Sequence, residues 1–107
     1  RPPEEDLDAI YLTPDFAFAF ACAARPHGIT RIDHEKRTIH FEDPEAFDPD
    51  REVYVYEINS SDIPEGKIVG RVPKEYGEQV VVDLDRVKPK KVTKLRAGDI
   101  SKYYEIV

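Results

Sequence analysis

Glu78 stands in "EYGEQVVVD", directly after Gly77 and just ahead of Val80, Val81 and Val82. A glycine lets the chain turn sharply into a strand, and buried valines anchor the strand that follows, so a carboxylate here is held at a strand end beside a cleft. Fixed in that way it can hydrogen-bond a sugar hydroxyl and stabilise an oxocarbenium-like transition state, the work carboxylates do in glycoside hydrolysis. The same glutamate also reads as an exposed side chain that merely begins a strand. Other chemistries lack their patterns. His27, His34 and His40 lie near Glu35, Glu42 and Asp43, but no pair has the i, i+4 helical or Cys/His spacing of a zinc site, so no metal is expected. Ser60 and Ser61 stand in a turn without the glycines of a nucleophile elbow, and no glycine-rich phosphate loop exists.

The elements that must position Glu78 begin with "IYLTPDFAFAFACAA", residues 10–24. The alternation of Phe16, Phe18 and Phe20 with Ala17 and Ala19 suits a strand, whereas the same letters at period 3.6 make a helix. Thr13-Pro14-Asp15 decides for a helix over residues 14–24, with Thr13 as cap, Pro14 in the first turn and Asp15 facing the helix dipole. Five alanines among residues 15–24 agree, since alanine favours helices and is depleted in strands. Phe16 and Phe20 then share one face and Phe18 points away, so both sides of the helix need cover. Pro26 and Gly28 end it.

Residues 1–7 have linker composition, and "DAIYLT" is the first strand. Residues 29–32 and 37–41 read as hairpin arms, and residues 42–50 as an exposed acidic loop able to meet a basic partner. "EVYVYEI" is apolar on both faces and is therefore expected at the centre of a sheet. "SSDIPEG" reads as a turn, and "KIVGRV", "EQVVVDL", "KKVTKL" and "KYYEIV" as further strands. One helix against six or seven strands gives an α+β fold with a mainly antiparallel sheet.

The 107 residues suit a single domain, 1–107, with 40% hydrophobic and 36% charged residues. No apolar run of about 18 residues is present, and the acidic, proline-bearing start is unlike a signal peptide; the reading is a soluble, cytoplasmic chain with no membrane partner. A net charge of −6 argues against general nucleic-acid binding, although Arg86, Lys88, Lys90, Lys91, Lys94 and Arg96 leave a local basic face open. Cys22 is alone among apolar neighbours, which excludes an internal disulfide and suits a small core residue in a reducing compartment. The sequence has no methionine, even at position 1, and is expected to be the C-terminal portion of a longer chain.

"AIYLTPDFAFAFACA" resembles the second signature of the poly(ADP-ribose)-polymerase-type ADP-ribosyltransferases, a strand carrying a tyrosine, then a small or hydroxyl residue, then a helix rich in small residues. "YGEQVVVD" is similar to their third signature, in which the catalytic glutamate begins a strand with an aromatic two residues before it. "REVYVYEIN" lies between the two, where that family has a core strand, and the likeness runs from about residue 8 to 95. The resemblance implies an ADP-ribosyltransferase-like fold with NAD as substrate and no metal. It implies that Tyr11 stacks on the nicotinamide ring, that Phe20 closes the nicotinamide pocket, that Thr13 hydrogen-bonds Glu78, and that Glu78 binds the ribose and directs attack on its anomeric carbon. Taken without the resemblance, Tyr11 and Phe20 read as core aromatics and Thr13 as a helix cap.

The family's first signature, a His followed by Gly and a hydroxyl residue, holds the adenosine-side ribose and should precede residue 8. It is missing there. "HGIT" at residues 27–30 follows the tyrosine motif, so that role does not pass to His27, and an upstream segment completing the site is one expectation. The resulting function is transfer of ADP-ribose from NAD to an acceptor, which the sequence leaves open among protein side chains, a nucleic-acid base and a small molecule. The alternative is a non-catalytic interaction module or a degenerate transferase fold.

Overall fold

In the computed structural model the described residues are 9–26 and 28–107; the linker reading of residues 1–7, the first residue of "DAIYLT" and His27 lie outside them. Strand β1 (Ala9–Leu12) runs into helix α1 (Phe16–Ala24), which is followed by the hairpin of β2 (Thr30–Asp33) and β3 (Thr38–Phe41). Then come β4 (Glu52–Glu57), β5 (Ile68–Val72), β6 (Gln79–Asp83), β7 (Lys91–Arg96) and the short β8 (Glu105–Ile106). Three small sheets result, in the orders β1-β6-β5, β2-β3-β8 and β4-β7. Every pairing is antiparallel except β3 with β8, so the domain is α+β with one main helix and mainly antiparallel sheets. No described helix is long and apolar enough to cross a membrane.

The helix begins two residues later than the Thr-Pro-Asp pattern suggests, and Asp15 rather than Thr13 is its cap. Asp15 has extended backbone, φ −99° and ψ 105°, and its Oδ1 accepts the Phe18 N–H at 3.2 Å. Thr13 is used one step earlier, its Oγ1 accepting the Asp15 N–H at 3.1 Å. Two side chains hold the cap. Arg37 donates to Asp15 Oδ2 at 2.7 Å, and His34 Nε2 lies 3.7 Å from the same oxygen. Burial pushes the Asp15 carboxyl up, but the Arg37 and Phe18 hydrogen bonds and the charges of Arg37 and His34 outweigh it and hold the group below its ordinary value. At the other end Arg51 donates to the Ala23 and Arg25 carbonyls at 2.9 and 3.2 Å, satisfying groups that a helix C-terminus leaves open.

Both faces of α1 are covered, as the phenylalanine spacing requires. Phe20, Ala21 and Ala24 enter the main core with Ile39 and Phe41 of β3, Val53 and Val55 of β4, and Ala97, Ile100 and Tyr104 near the C-terminus. Phe18, on the opposite face, packs edge-on against the His34 ring at 5.4 Å between centroids. The half-buried Cys22 joins the helix's apolar surroundings, and burial raises its thiol above the ordinary value.

Two further expectations are corrected. β4 is not central: it pairs with β7 alone, and it alternates buried Val53 and Val55 with exposed Tyr54 and Tyr56. The tyrosines therefore face outward, although their apolar rings suggested burial on both sides. "KYYEIV" forms a strand only at Glu105–Ile106, because Ala97–Lys102 is a 3-10 turn and Tyr104 drops into the core beneath Arg37, whose Nη1 donates to Tyr104 Oη at 3.1 Å. Acids of β4 and of the turn before it pair with the basic stretch, Lys91 with Glu57, Lys94 with Glu52 and Arg96 with Asp50, so these three cations are engaged rather than forming a free basic face.

Asp15→Ala removes a cap worth about 1 kcal/mol and an ion pair worth less than about 1 kcal/mol, since Arg37 is partly exposed and solvent-screened; the total expected loss is about 1–2 kcal/mol. Because the folded carboxyl lies below its ordinary 3.8, its contribution is complete above that pH and is lost as pH falls through the folded value. Thermal melts of wild type and variant should differ at pH 7 and converge below pH 3.8. A gap that stays constant into strong acid contradicts this role.

Candidate functional site

The antiparallel register pairs Tyr11 with Val81 and Leu12 with Val80, which brings the end of β1 beside the start of β6. Thr13 and Glu78 lie just beyond these paired ends. A cavity of about 590 Å³ opens there, and Tyr11, Thr13 and Glu78 all line it. Its remaining walls come from the first turns of α1, the end of β4, and residues 60–68, with Lys90 from the β7 approach. The volume lies in the range of small-molecule sites.

Glu78 is placed by a close contact rather than by its own hydrogen bonds. Gly77 has φ +91°, and a Cβ there would lie 2.5 Å from Phe18 Cζ, so the ring of Phe18 packs directly on the glycine backbone. The 3-10 turn Lys74–Tyr76 closes onto it through the Gly77 N–H to the Lys74 carbonyl at 3.1 Å. The helix thereby fixes where β6 can begin. Glu78 itself precedes the first paired residue, Gln79, and is exposed.

The four residues singled out by the resemblance are not all brought together. Leu12 and Val80 share one face of the sheet and both line the cavity, so that face forms its floor. Tyr11 belongs to the alternate set; it is 58% exposed and borders the cavity from the edge strand β1. Thr13 lines the cavity, but its hydroxyl is engaged by the Asp15 N–H, and no hydrogen bond joins it to Glu78 among the described residues. Phe20 is corrected outright: it is 0% exposed, held by Phe16 and Tyr103 rings within the core, and does not line the cavity. Its place, one turn along α1 from Phe16, turns it inward.

Tyr56 and Lys90 are the lining residues that sequence reasoning missed as site residues. Tyr56 falls on one face of β4 and turns outward because the other face, with Val53 and Val55, packs on the core. Lys90 is the one cation among the described lining residues, against Glu57, Glu65 and Glu78. Its N–H donates to the Glu57 carbonyl at 2.8 Å, which ties the loop before β7 to the end of β4. Glu57 is already paired with Lys91, so Glu65 and Glu78 are the carboxylates that suit a positively charged group, and Lys90 suits an anion at another point of the same ligand. On the far side of Glu78 a further cavity of about 550 Å³ is lined by Asp15, His34, Lys74 and Tyr103, and shares Phe16 and Glu78 with the first. No group of His, Cys, Asp and Glu able to hold a metal occurs among the described residues.

Compared with family models, curated proteins and solved structures, the chain matches none.

Gly77→Ala should cost about 2–4 kcal/mol, combining overpacking against Phe18 with a side chain at positive φ. Urea denaturation measures it, and the cost should shrink in a Phe18→Leu background, where the ring is gone. Equal costs in the two backgrounds contradict the contact.

Proposed function

We propose that the domain is of the ADP-ribosyltransferase type, binding NAD and transferring ADP-ribose to an acceptor. The observation that carries this reading is the meeting of Tyr11, Thr13 and Glu78, distant in sequence, around one cavity of about 590 Å³. The charge pattern supports it. The nicotinamide ring of NAD is a flat cation, suited to a cavity with Tyr11 and the carboxylates of Glu65 and Glu78, and the diphosphate is an anion that Lys90 can meet.

In the proposed reaction the acceptor's lone pair forms a bond to the anomeric carbon of the nicotinamide-side ribose. The bond from that carbon to the ring nitrogen breaks, its electron pair leaves with nicotinamide, which becomes neutral, and the acceptor's proton passes to solvent or a base. Positive charge develops on the ribose before the new bond is complete. Glu78 acts there, holding a ribose hydroxyl and opposing that charge, and the Phe18–Gly77 contact holds it in position. No residue is assigned to the adenosine-side ribose, because the sequence has no match to the family's first signature.

One observation favours the second reading, a non-catalytic module on a degenerate transferase fold. The Thr13 hydroxyl is turned to the helix start and lends nothing to Glu78.

Glu78→Gln keeps size and some hydrogen bonding but removes the charge. Expected is a loss of at least about 100-fold in NAD consumption, about 3 kcal/mol in the transition state, with stability changed by no more than about 0.5 kcal/mol. Labelled NAD with a cell extract as acceptor pool, followed for both transfer and hydrolysis, provides the measurement. A wild-type protein that consumes no NAD, or a variant as active as wild type, overturns the enzyme reading.

A further inference from the structure

A second chamber of about 440 Å³ opens into the first, and Tyr11, Leu12, Ala19, Val55, Tyr56 and Ile58 line both. Their linings differ in charge. The first holds Glu57, Glu65, Glu78 and Lys90, whereas the second carries no charged side chain. Three tyrosines, Tyr11, Tyr54 and Tyr56, stand around it with Ile10, Val87 and Pro89.

These tyrosines are not consumed by the protein's own packing. Phe16, Phe20 and Tyr103 contact one another, Phe41 stacks on Phe47, and Arg37 lies over Tyr104, but none of Tyr11, Tyr54 and Tyr56 meets another ring or a cation among the described residues. All three are exposed, and β4 turns Tyr54 and Tyr56 away from the core that Val53 and Val55 fill. Tyr54 is oriented by its hydroxyl, which donates to Glu52 Oε2 at 3.2 Å. An uncharged, aromatic-walled chamber gives nothing to an ion and a stacking surface to a flat neutral ring.

We infer that the second chamber binds a neutral nucleobase, stacked against the tyrosines of β1 and β4. For the identity of the base the inference rests on the proposed function. NAD carries one cationic ring and one neutral ring, and the two adjoining chambers divide in the same way: carboxylates for the pyridinium, an uncharged tyrosine chamber for adenine, and Lys90 available to the diphosphate. The strand pair that turns Tyr54 and Tyr56 outward thus supplies a hold on the adenine end that does not depend on the family's first signature.

Tyr54 and Val87 line the second chamber and not the first, so they test it separately. The probe is adenosine, which has the neutral base and no phosphate, titrated against wild type, Tyr54→Ala and Val87→Asp and followed by amide chemical shifts. 1-Methylnicotinamide, which keeps the pyridinium charge that free nicotinamide lacks, is titrated in parallel as the control for the first chamber. Base stacking on an aromatic is worth enough that Tyr54→Ala should weaken adenosine at least about tenfold, with Val87→Asp acting in the same direction and 1-methylnicotinamide affinity unchanged in Tyr54→Ala. Tyr54→Phe should bind adenosine as wild type does. Adenosine that fails to bind wild type at millimolar concentration, or binds both variants as tightly as wild type, overturns the inference. Binding that depends on Tyr54 in a protein that consumes no NAD keeps the chamber and discards the transferase. NAD consumption lost in Glu78→Gln but adenosine affinity indifferent to Tyr54 does the reverse.

Discussion

The Asp15 carboxylate is the interaction on which the arrangement rests. One oxygen closes the first turn of α1 and the other receives Arg37 from the hairpin, and Arg37 in turn donates to Tyr104 from the C-terminal end of the chain. Three segments far apart in sequence are therefore tied at one point. Arg37 has an unusual backbone, φ +53°, at the end of the β2-β3 turn, where the Asp33 Oδ1 accepts the Lys36 N–H at 3.0 Å.

From that anchor the site follows mechanically. Fixing the start of α1 fixes Phe18, and Phe18 packs on Gly77 from one side while His34 meets its ring from the other. The strand that carries Glu78 can then begin in only one place. Antiparallel pairing of β6 with β1 brings Tyr11 and Thr13 to the same end. Residues that do no chemistry, Phe18 and Gly77 above all, thus decide where the carboxylate stands.

Much of this was legible in the sequence because it is local. Alanine content and the Thr-Pro-Asp start indicated a helix despite the phenylalanine alternation, and the glycine before Glu78 marked a turn into a strand. The errors arose where non-local pairing decides. Thr13 and Asp15 are both good caps, and Arg37 selects Asp15 from a hairpin that no local pattern connects to it. Tyr54 and Tyr56 looked buried on composition, but β4 packs only its Val53 and Val55 face on the core, so the tyrosine face meets solvent. Phe20 matched a motif position, yet its helix face packs into the core, while Tyr56, from a strand the motif does not include, lines the cavity.

The central claim is that NAD occupies the cavity between β1, β4 and Glu78. Mapping backbone amide shifts of the isotope-labelled protein while NAD is added tests it most directly. The account predicts saturable shifts at Tyr11, Thr13, Tyr56, Glu78 and Lys90, with the distant acidic loop at residues 42–50 and the β8 strand unaffected. Shifts centred on that loop or on β8, or a spectrum unmoved by millimolar NAD, would contradict it.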